Sequence, residues 1–312
     1  MNKSFTRVCV VYGGRSSERE ISISSGKNVI AALEHEGFRV ISFDLHNTLL
    51  PFVEFLQKEK PDVVFNALHG RYGEDGALQG VLEWMGIAYT HSNILASAMA
   101  MDKAVTRQIL TATSLPVAKG GLYTPEELLK QVPLSFPFVM KPINEGSSIG
   151  VSIIHSPEEL KAAISQWHYG PKILIEDFIP GRELTVGVLQ DRALTVTDIT
   201  PASSQGHEFY DYGSKYKQGG SSHLLPARIP PLIFNQAMDY ALKAHKALGC
   251  SGGSRTDFRY NDTLGEENLV ILEVNTQPGM TRTSLLPEQA AYCGIPYSAL
   301  CRWMVENALC RT

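Results

Sequence analysis

The chain has 312 residues, which is enough for about two domains of ~150 residues each. Hydrophobic residues make up 44% of it, charged residues 19%, and the formal net charge is −4, which argues against intrinsic disorder and against a basic surface for nucleic acid or membranes. The five cysteines have no Cys-x-x-Cys pair, and the first residues lack an apolar run of signal-peptide length, so we expect a cytoplasmic protein without a disulfide framework.

The first third of the chain alternates strand and helix patterns. Residues 7–12 form a β-branched run that stops at a glycine pair, and two further strand patterns follow at intervals that leave room for helices. Ser17 with Glu20 three residues later fits a capping box at the start of the first helix. This alternation is typical of a doubly wound parallel sheet, and we predict an α/β domain over residues 1–97.

The rest of the chain has a mixed α+β pattern. Residues 98–182 contain a helix predicted over 101–110 and strands joined by a short serine–glycine loop, the later of them predicted over 149–154. Residues 183–200 are strand-rich, and the polar segment 203–223 that follows carries several aromatic side chains. A loop of this length is usually functional, and its aromatic residues favour a lid that closes over a site.

The loop at residues 146–150 allows two interpretations. It fits G-x-S-x-G, in which Ser148 would be the nucleophile of a hydrolase, but a nucleophile elbow requires a helix after the loop. The residues that follow have a strand pattern instead. The small residues also suit a phosphate-binding turn whose backbone N–H groups face an anion, with Lys141 on the preceding strand.

Polar side chains interrupt two apolar strands near the carboxyl end. Glu273 and Asn275 are two residues apart and therefore share a face, and Asp257 lies on an earlier strand with Arg255 on the same face. Carboxylate and amide oxygens suit Mg²⁺, which leaves room for substrate phosphates. Arg255 is suited to neutralise negative charge that develops during a reaction.

Other candidates lie at strand ends. Glu176 ends one strand and Glu183 follows a Pro-Gly turn, an arrangement suited to contact the base and ribose of a nucleotide. Residues 69–80 are dense in glycine and charge at a strand-to-helix junction, where doubly wound sheets bind ligands. Glu18 follows the first strand and is expected to face the same crevice.

These motifs, taken in order, resemble the D-alanine–D-alanine ligase family of the ATP-grasp superfamily over essentially the whole chain. Residues 69–80 match one family signature throughout, and residues 255–257 with 272–279 match the other in its polar positions. Thr256 and Arg259 depart from the family pattern, where aliphatic or apolar residues are usual. The smaller matching segments are residues 13–20, 101–103, 141–148, 210–216 and 280–285.

The resemblance implies an ATP-grasp fold of three domains, at residues 1–97, 98–182 and 183–312, with the lid at 203–223. The first would be a Rossmann-like substrate domain, and the other two would clamp ATP. It also implies a homodimer that joins two D-alanines into D-alanyl-D-alanine for peptidoglycan synthesis.

The resemblance assigns a role to each matching residue. The ATP ligands would be Lys103, Lys141, Glu176, Ile179, Glu183 and Lys215. Two Mg²⁺ or Mn²⁺ ions would be held by Asp257, Glu273 and Asn275. The two D-alanines would be bound by Glu18, His69, Ser284 and Leu285. Ser147 and Tyr216 would join Glu18 in the hydrogen-bonded contact that holds the lid. Arg255 and the Gly279 N–H would bind the oxyanion.

Other functions remain open at the level of sequence. A ligase that joins D-alanine to D-lactate or D-serine is the nearest alternative, although Tyr216 favours an amine acceptor. A different ATP-grasp ligase, the serine hydrolase built on Ser148 and a catalytically inactive nucleotide-binding protein are the others.

Overall fold

The computed structural model describes residues 7–146, 148–201, 220–263 and 268–310. Three β-sheets organise these residues. A four-stranded sheet lies in the first third of the chain, a second four-stranded sheet follows, and a five-stranded sheet comes last. The two pockets described below lie between these sheets.

The first sheet is parallel and has the strand order β2-β1-β3-β4. Alternate residues of its central strand face different helices: Val8 and Val10 pack in a core with α1, and Cys9 and Val11 pack in a core with α2 and α3. Coverage on both faces confirms the doubly wound pattern. The elements are β1 (Arg7–Gly13), α1 (Arg19–His35), β2 (Arg39–Leu45), α2 (Leu50–Glu59), β3 (Val63–Asn66), α3 (Ala77–Trp84) and β4 (Ala88–Tyr89).

The predicted capping box at the first helix is wrong. Helix α1 begins one residue later than that motif requires, with Glu18 rather than Ser17 at the N-cap, and no side chain caps it. Ser16 Oγ instead accepts a hydrogen bond from the Glu18 backbone N–H at 3.2 Å. This shift leaves the Glu18 carboxylate directed toward the cleft rather than toward the helix.

The second sheet is antiparallel and has the order β5-β8-β6-β7. The helix predicted over 101–110 is confirmed with a start two residues later, at Lys103, because Asp102 is extended and caps it: its carboxylate accepts from the Ala104 and Val105 N–H groups. A separate helix that was not predicted ends at Met101. The elements are α4 (Ile94–Met101), α5 (Lys103–Ala112), β5 (Gly120–Tyr123), α6 (Pro125–Lys130), β6 (Phe138–Lys141), β7 (Ser152–Ile154), α7 (Pro157–Ser165) and β8 (Ile173–Asp177).

The strand after the serine–glycine loop is shorter than predicted. It covers only Ser152–Ile154, because Ser148 and Gly150 both have positive φ, at 61° and 71°, and form a turn. A strand rather than a helix follows this turn, so Ser148 lacks the setting of a nucleophile elbow. The hydrolase interpretation therefore loses its structural basis.

The third sheet has the order β11-β10-β9-β12-β13, and each neighbouring pair is antiparallel. Helix α8 covers one face, and α10 returns to pack with α1 in the core of the first sheet. The elements are β9 (Arg182–Leu189), β10 (Arg192–Pro201), β11 (Ser221–Leu224), α8 (Pro231–Ala247), β12 (Gly253–Asn261), β13 (Asn268–Asn275), α9 (Leu285–Tyr292) and α10 (Tyr297–Glu306).

Two sequence expectations keep the status of predictions. The first is the division of the chain into three domains at residues 97/98 and 182/183. Helix Ile94–Met101 spans the first of these boundaries. The lid over 203–223 is the other: residues 203–219 lie outside the described part of the chain, and the end of the segment enters strand Ser221–Leu224. Among the described residues, no helix has the length and apolar character needed to cross a bilayer.

Two buried histidines predict how stability depends on pH. Burial lowers the pKa of His91 to about 3 and that of His245 to about 4, below the ordinary 6.5. The unfolded chain therefore takes up these protons first, and the folded state loses stability as the pH falls below about 6.5. We expect the free energy of unfolding to drop by roughly 1.5 kcal/mol per histidine between about pH 6.5 and about pH 5.

Urea unfolding at both pH values measures this drop. His91→Gln and His245→Gln should each reduce it, whereas His35→Gln, at a side chain that is 79% exposed, should leave it unchanged. Equal pH dependence in all four proteins would contradict the assignment.

Candidate active site

The predicted metal-binding side chains come together on two paired strands. Asp257 of β12 lies opposite Glu273 of β13, and Arg255 lies opposite Asn275. The two-residue spacing on each strand keeps all four on one face. The structure thus brings together residues from two separate sequence motifs.

Asp257 is the most heavily bonded member of this group. Arg255 donates to both of its oxygens, from Nε and Nη2, each at 2.8 Å. Thr185 Oγ1 donates to Oδ1 at 2.6 Å, and Asn275 Nδ2 donates to Oδ2 at 3.0 Å. These donors offset the cost of burying a carboxylate that is only 5% exposed.

The oxygens of Asp257, Glu273 and Asn275 suit a hard divalent cation. The set contains two carboxylates and one amide, and no group of three or more His, Cys, Asp or Glu within the described residues is arranged to hold a metal ion. In this structure Asp257 is bonded to Arg255 and Asn275, so a cation at Asp257 requires at least one of these donors to turn away. Lys103 Nζ lies 3.3 Å from Glu273 Oε2 and holds the second carboxylate.

A pocket of about 120 Å³ lies between the second and third sheets. Its lining includes five residues predicted to bind ATP, which are Lys103, Lys141, Glu176, Ile179 and Glu183. Lys103 Nζ also donates to the Glu145 carbonyl at 2.6 Å, which ties helix α5 to the serine–glycine loop. Aliphatic side chains of Val139, Ile153 and Leu272 complete a wall suited to a flat base.

Two cations hold the buried carboxylate of Glu176. Lys141 Nζ contacts Oε2, and Arg107 Nη1 donates to Oε1. The Arg107 Nη2 group also donates to the Ala118 carbonyl at 2.7 Å. Sequence reasoning missed Arg107; the available signal was its position four residues after Lys103, which places both cations on one face of α5.

A larger cleft of about 500 Å³ adjoins the nucleotide pocket and shares Glu273 with it. The predicted substrate and oxyanion residues that line it are Glu18, His69, Arg255, Gly279, Ser284 and Leu285. Because one carboxylate belongs to both spaces, a group bound in the pocket and a group bound in the cleft can meet beside it.

The first sheet supplies one side of this cleft. Glu18 is buried, and a Cβ added at Gly70 would lie 2.8 Å from its Oε2, so glycine is needed there for contact as well as for its φ of 70°. A Cβ at Gly146 would lie 3.6 Å from the same oxygen, which places Glu18 beside the serine–glycine loop. His69 Nε2 is 3.2 Å from Ser25 Oγ, and burial lowers the pKa of its imidazole, which favours the neutral ring.

The start of helix α9 supplies the opposite side. Ser284 is its N-cap in an extended conformation, and Leu285 is the first helical residue. Ser284 Oγ accepts from the Thr281 N–H at 3.1 Å, and a Cβ at Gly279 would lie 2.9 Å from that oxygen. A helix N-terminus that opens on a cleft is suited to bind a carboxylate.

Glu74 is a second residue that sequence reasoning passed over, although it lies within the signature at 69–80. It lines the cleft, and its Oε1 accepts from the Gly70 N–H at 3.0 Å. Burial, followed by the charges of Glu18 and Glu273, raises the pKa of Glu74 to about 8. At neutral pH this shift favours the protonated form of Glu74.

Three predicted residues, Ser147, Lys215 and Tyr216, lie outside the described residues. Their roles stay predictions, as do the individual roles of the other candidates.

Two antiparallel sheets around a pocket lined by cations, carboxylates and aliphatic side chains, joined to a parallel sheet with an adjoining polar cleft, form the architecture of an ATP-grasp ligase. The family model for the D-ala D-ala ligase C-terminus matches residues 109–306, and that for the D-ala D-ala ligase N-terminus matches residues 7–54 and 51–92. The chain therefore belongs to the D-alanine–D-alanine ligase family.

Similar proteins cover nearly the whole chain. A D-alanine--D-alanine ligase of Granulibacter bethesdensis is 57% identical over 99% of both chains, and one of Gluconobacter oxydans is 56% identical over 98% of this chain and all of its own. A crystal structure of the Bacillus anthracis D-alanine--D-alanine ligase complexed with ATP has a TM-score of 0.80 at 30% identity, covering 97% of each chain.

The raised pKa of Glu74 predicts a second pH effect of opposite sign. A folded-state pKa near 8, above the ordinary 4.5, means that the protonated carboxyl contributes stability that is lost as the pH rises toward 8. Glutamine stays neutral at every pH. Without ATP or divalent ions, the free energy of unfolding of Glu74→Gln should therefore rise relative to that of the unmodified protein, by about 1 kcal/mol per pH unit between about pH 5 and about pH 8.

Urea unfolding across this range measures the difference. Glu34→Gln, at an exposed position of helix α1, is the control and should run parallel to the unmodified protein. A constant gap between Glu74→Gln and the unmodified protein would show that Glu74 is already ionised.

Proposed function

We propose that this chain joins two D-alanines into D-alanyl-D-alanine at the expense of ATP, through an acyl phosphate. The observation that carries the proposal is the sharing of Glu273 by the nucleotide pocket and the cleft. This arrangement suits a reaction in which a phosphoryl group passes from a nucleotide to an amino-acid carboxylate. The relatives' names favour D-alanine over D-lactate or D-serine as the acceptor.

The chemistry explains why a nucleotide is needed. A carboxylate does not expel oxide at neutral pH, so its carbonyl carbon must first carry a better leaving group. Transfer of the γ-phosphoryl group of ATP to a carboxylate oxygen gives an acyl phosphate and ADP. The amine of the second D-alanine then attacks the carbonyl carbon, and inorganic phosphate leaves.

The nucleotide contacts follow from the pocket. Glu176 and Ile179, at the end of the second sheet, are assigned to the adenine, and Glu183 to the ribose hydroxyls. Lys103 and Lys141, with Lys215, are assigned to the phosphates. Lys141 would then exchange its contact with Glu176 for a phosphate oxygen, while Arg107 continues to hold Glu176. Alignment and charge neutralisation are the main demands of phosphoryl transfer.

The metal assignment rests on donor chemistry. Asp257, Glu273 and Asn275 would hold two Mg²⁺ or Mn²⁺ ions, which would neutralise charge on the phosphates. Lys103 keeps Glu273 within reach of the pocket, and Arg255 does the same for Asp257.

The amino-acid contacts follow from the cleft. Glu18 is assigned to the ammonium group of the first D-alanine, and Ser284 with the Leu285 N–H to the carboxylate of the second. Arg255 and the Gly279 N–H would stabilise the oxyanion formed by amine attack, a role in which one donor typically contributes ~10²–10³ in rate. His69 is assigned to substrate binding on the same side of the cleft as Glu18. Ser147 and Tyr216 are assigned to closure of the lid over the site.

The biological setting follows from the family. We propose a cytoplasmic homodimer whose product feeds peptidoglycan synthesis.

The direct test is ATP-dependent release of phosphate with Mg²⁺ present. Release should require D-alanine and should remain at background with L-alanine or with no amino acid, because Glu18 and the start of helix α9 fix the positions of the ammonium and carboxylate groups. D-lactate and D-serine, each offered with D-alanine, test the acceptor through the product formed. Phosphate release at the same rate with D-alanine, with L-alanine and without an amino acid would overturn the proposal.

Glu273→Gln tests the metal assignment. Loss of the shared carboxylate should lower turnover by at least ~10² and raise the Mg²⁺ concentration needed for half-maximal rate, because an amide is a weaker ligand. A Mg²⁺ titration of phosphate release measures both. Glu306→Gln, on the exposed surface of helix α10, is the control. An unchanged Mg²⁺ dependence in Glu273→Gln would remove Glu273 from the metal site.

A further inference from the structure

Arg259 is a buried cation in the wall of the nucleotide pocket. It lies on β12 directly opposite Glu183 of β9, and its side chain is 14% exposed. Burial lowers the pKa of its guanidinium, and the charge of Glu183 opposes that effect. A cation kept in this position at a desolvation cost calls for a specific partner or task.

The guanidinium connects three parts of the pocket. Its Nε donates to the Ile179 carbonyl at 3.1 Å, and its Nη2 donates to the Gly181 carbonyl at 3.0 Å. Its Nη1 lies 3.9 Å from Glu183 Oε2. One planar group therefore contacts both the connection between the second and third sheets and the carboxylate assigned to the ribose.

That connection is held close to β12. Gly181 has a φ of 96°, and a Cβ there would lie 2.3 Å from the Tyr260 carbonyl oxygen. The backbone between β8 and β9 can therefore approach β12 closely enough for Arg259 to reach two of its carbonyls. An apolar side chain at 259 would leave both carbonyls without this donor and Glu183 without this cation.

We propose that Arg259 is a positioning residue that sets nucleotide recognition by fixing the carboxylate of Glu183 at the ribose hydroxyls and by forming one face of the base pocket. The inference rests on the proposed binding of ATP in this pocket. A planar guanidinium stacks well on an aromatic base, and the aliphatic residues of the pocket supply the remaining walls. Lysine has no comparable planar group and cannot donate to both carbonyls while facing Glu183.

Equilibrium binding of ATP and of 2′-deoxyATP, without D-alanine, tests the role. We expect Arg259→Met to raise the Kd for ATP about 10-fold, the value of one charge-assisted hydrogen bond. The preference for ATP over 2′-deoxyATP should fall toward one, because Glu183 loses the cation that directs its carboxylate toward the ribose. Arg259→Lys should show most of the same loss. Arg302→Met, which removes an exposed cation on helix α10, should match the unmodified protein.

The outcomes separate this inference from the function on which it rests. Unmodified protein that binds no ATP overturns the proposed function and this inference with it. Normal ATP binding by the unmodified protein and an unchanged Kd in Arg259→Met overturn the role of Arg259 alone. A raised Kd with an unchanged ribose preference also overturns it, since a purely structural residue would weaken both nucleotides equally. Thermal unfolding checks each variant, and Arg259→Lys supplies the measurement if Arg259→Met does not fold.

Discussion

The site depends on the burial of several carboxylates, each of which is paired with a cation. Arg255 holds Asp257, Lys103 holds Glu273, and Lys141 holds Glu176. A buried carboxylate without such a partner would cost several kcal/mol. These three carboxylates are therefore paired within the protein, and under the proposed function the binding of metal and nucleotide would exchange those partners. Lys103 and Arg107, both on helix α5, pair with Glu273 of the third sheet and with Glu176 of the second, so these ion pairs also join α5 to both sheets.

The sequence predicted which residues share a face more reliably than where elements begin and end. Two-residue spacing was sufficient to place Arg255 with Asp257, and Glu273 with Asn275, because side chains alternate strictly along a strand. The register that sets Asp257 opposite Glu273 depends on strand pairing, which no local pattern contains. Helix boundaries failed at Asp102 and at Ser17 because one residue's conformation decides whether a turn continues, and several nearby side chains could have served as the cap.

The residues that sequence reasoning missed act over long distances along the chain. Arg107 contacts Glu176 across 69 positions, and nothing in either segment indicates the other. Glu74 stood inside a recognised signature, yet its raised pKa comes from enclosure beside Glu18 and Glu273, which are remote in sequence. Chemical type and spacing identify donors and acceptors, whereas solvation and pairing are properties of the folded site. The metal-ligand and amino-acid candidates were thus predictable as a set, and their electrostatic state was not.

Among the described residues, the nucleotide pocket and the cleft share one lining residue, and this has a consequence for substrate specificity. The nucleotide pocket is lined mainly by the second and third sheets, whereas the cleft adds residues of the first sheet and of the start of helix α9 to residues of the third sheet. Glu273 is the carboxylate in contact with both. Under the proposed function, changes at Ser284 would therefore alter amino-acid recognition from a wall that the nucleotide pocket does not share. Under the proposed role of Arg259, changes there would act on nucleotide recognition, since Arg259 contacts the connection between β8 and β9 and Glu183 and lines the nucleotide pocket but not the cleft. Under the proposed function, different lining residues around one shared carboxylate would select each substrate, and the reacting groups would meet beside Glu273.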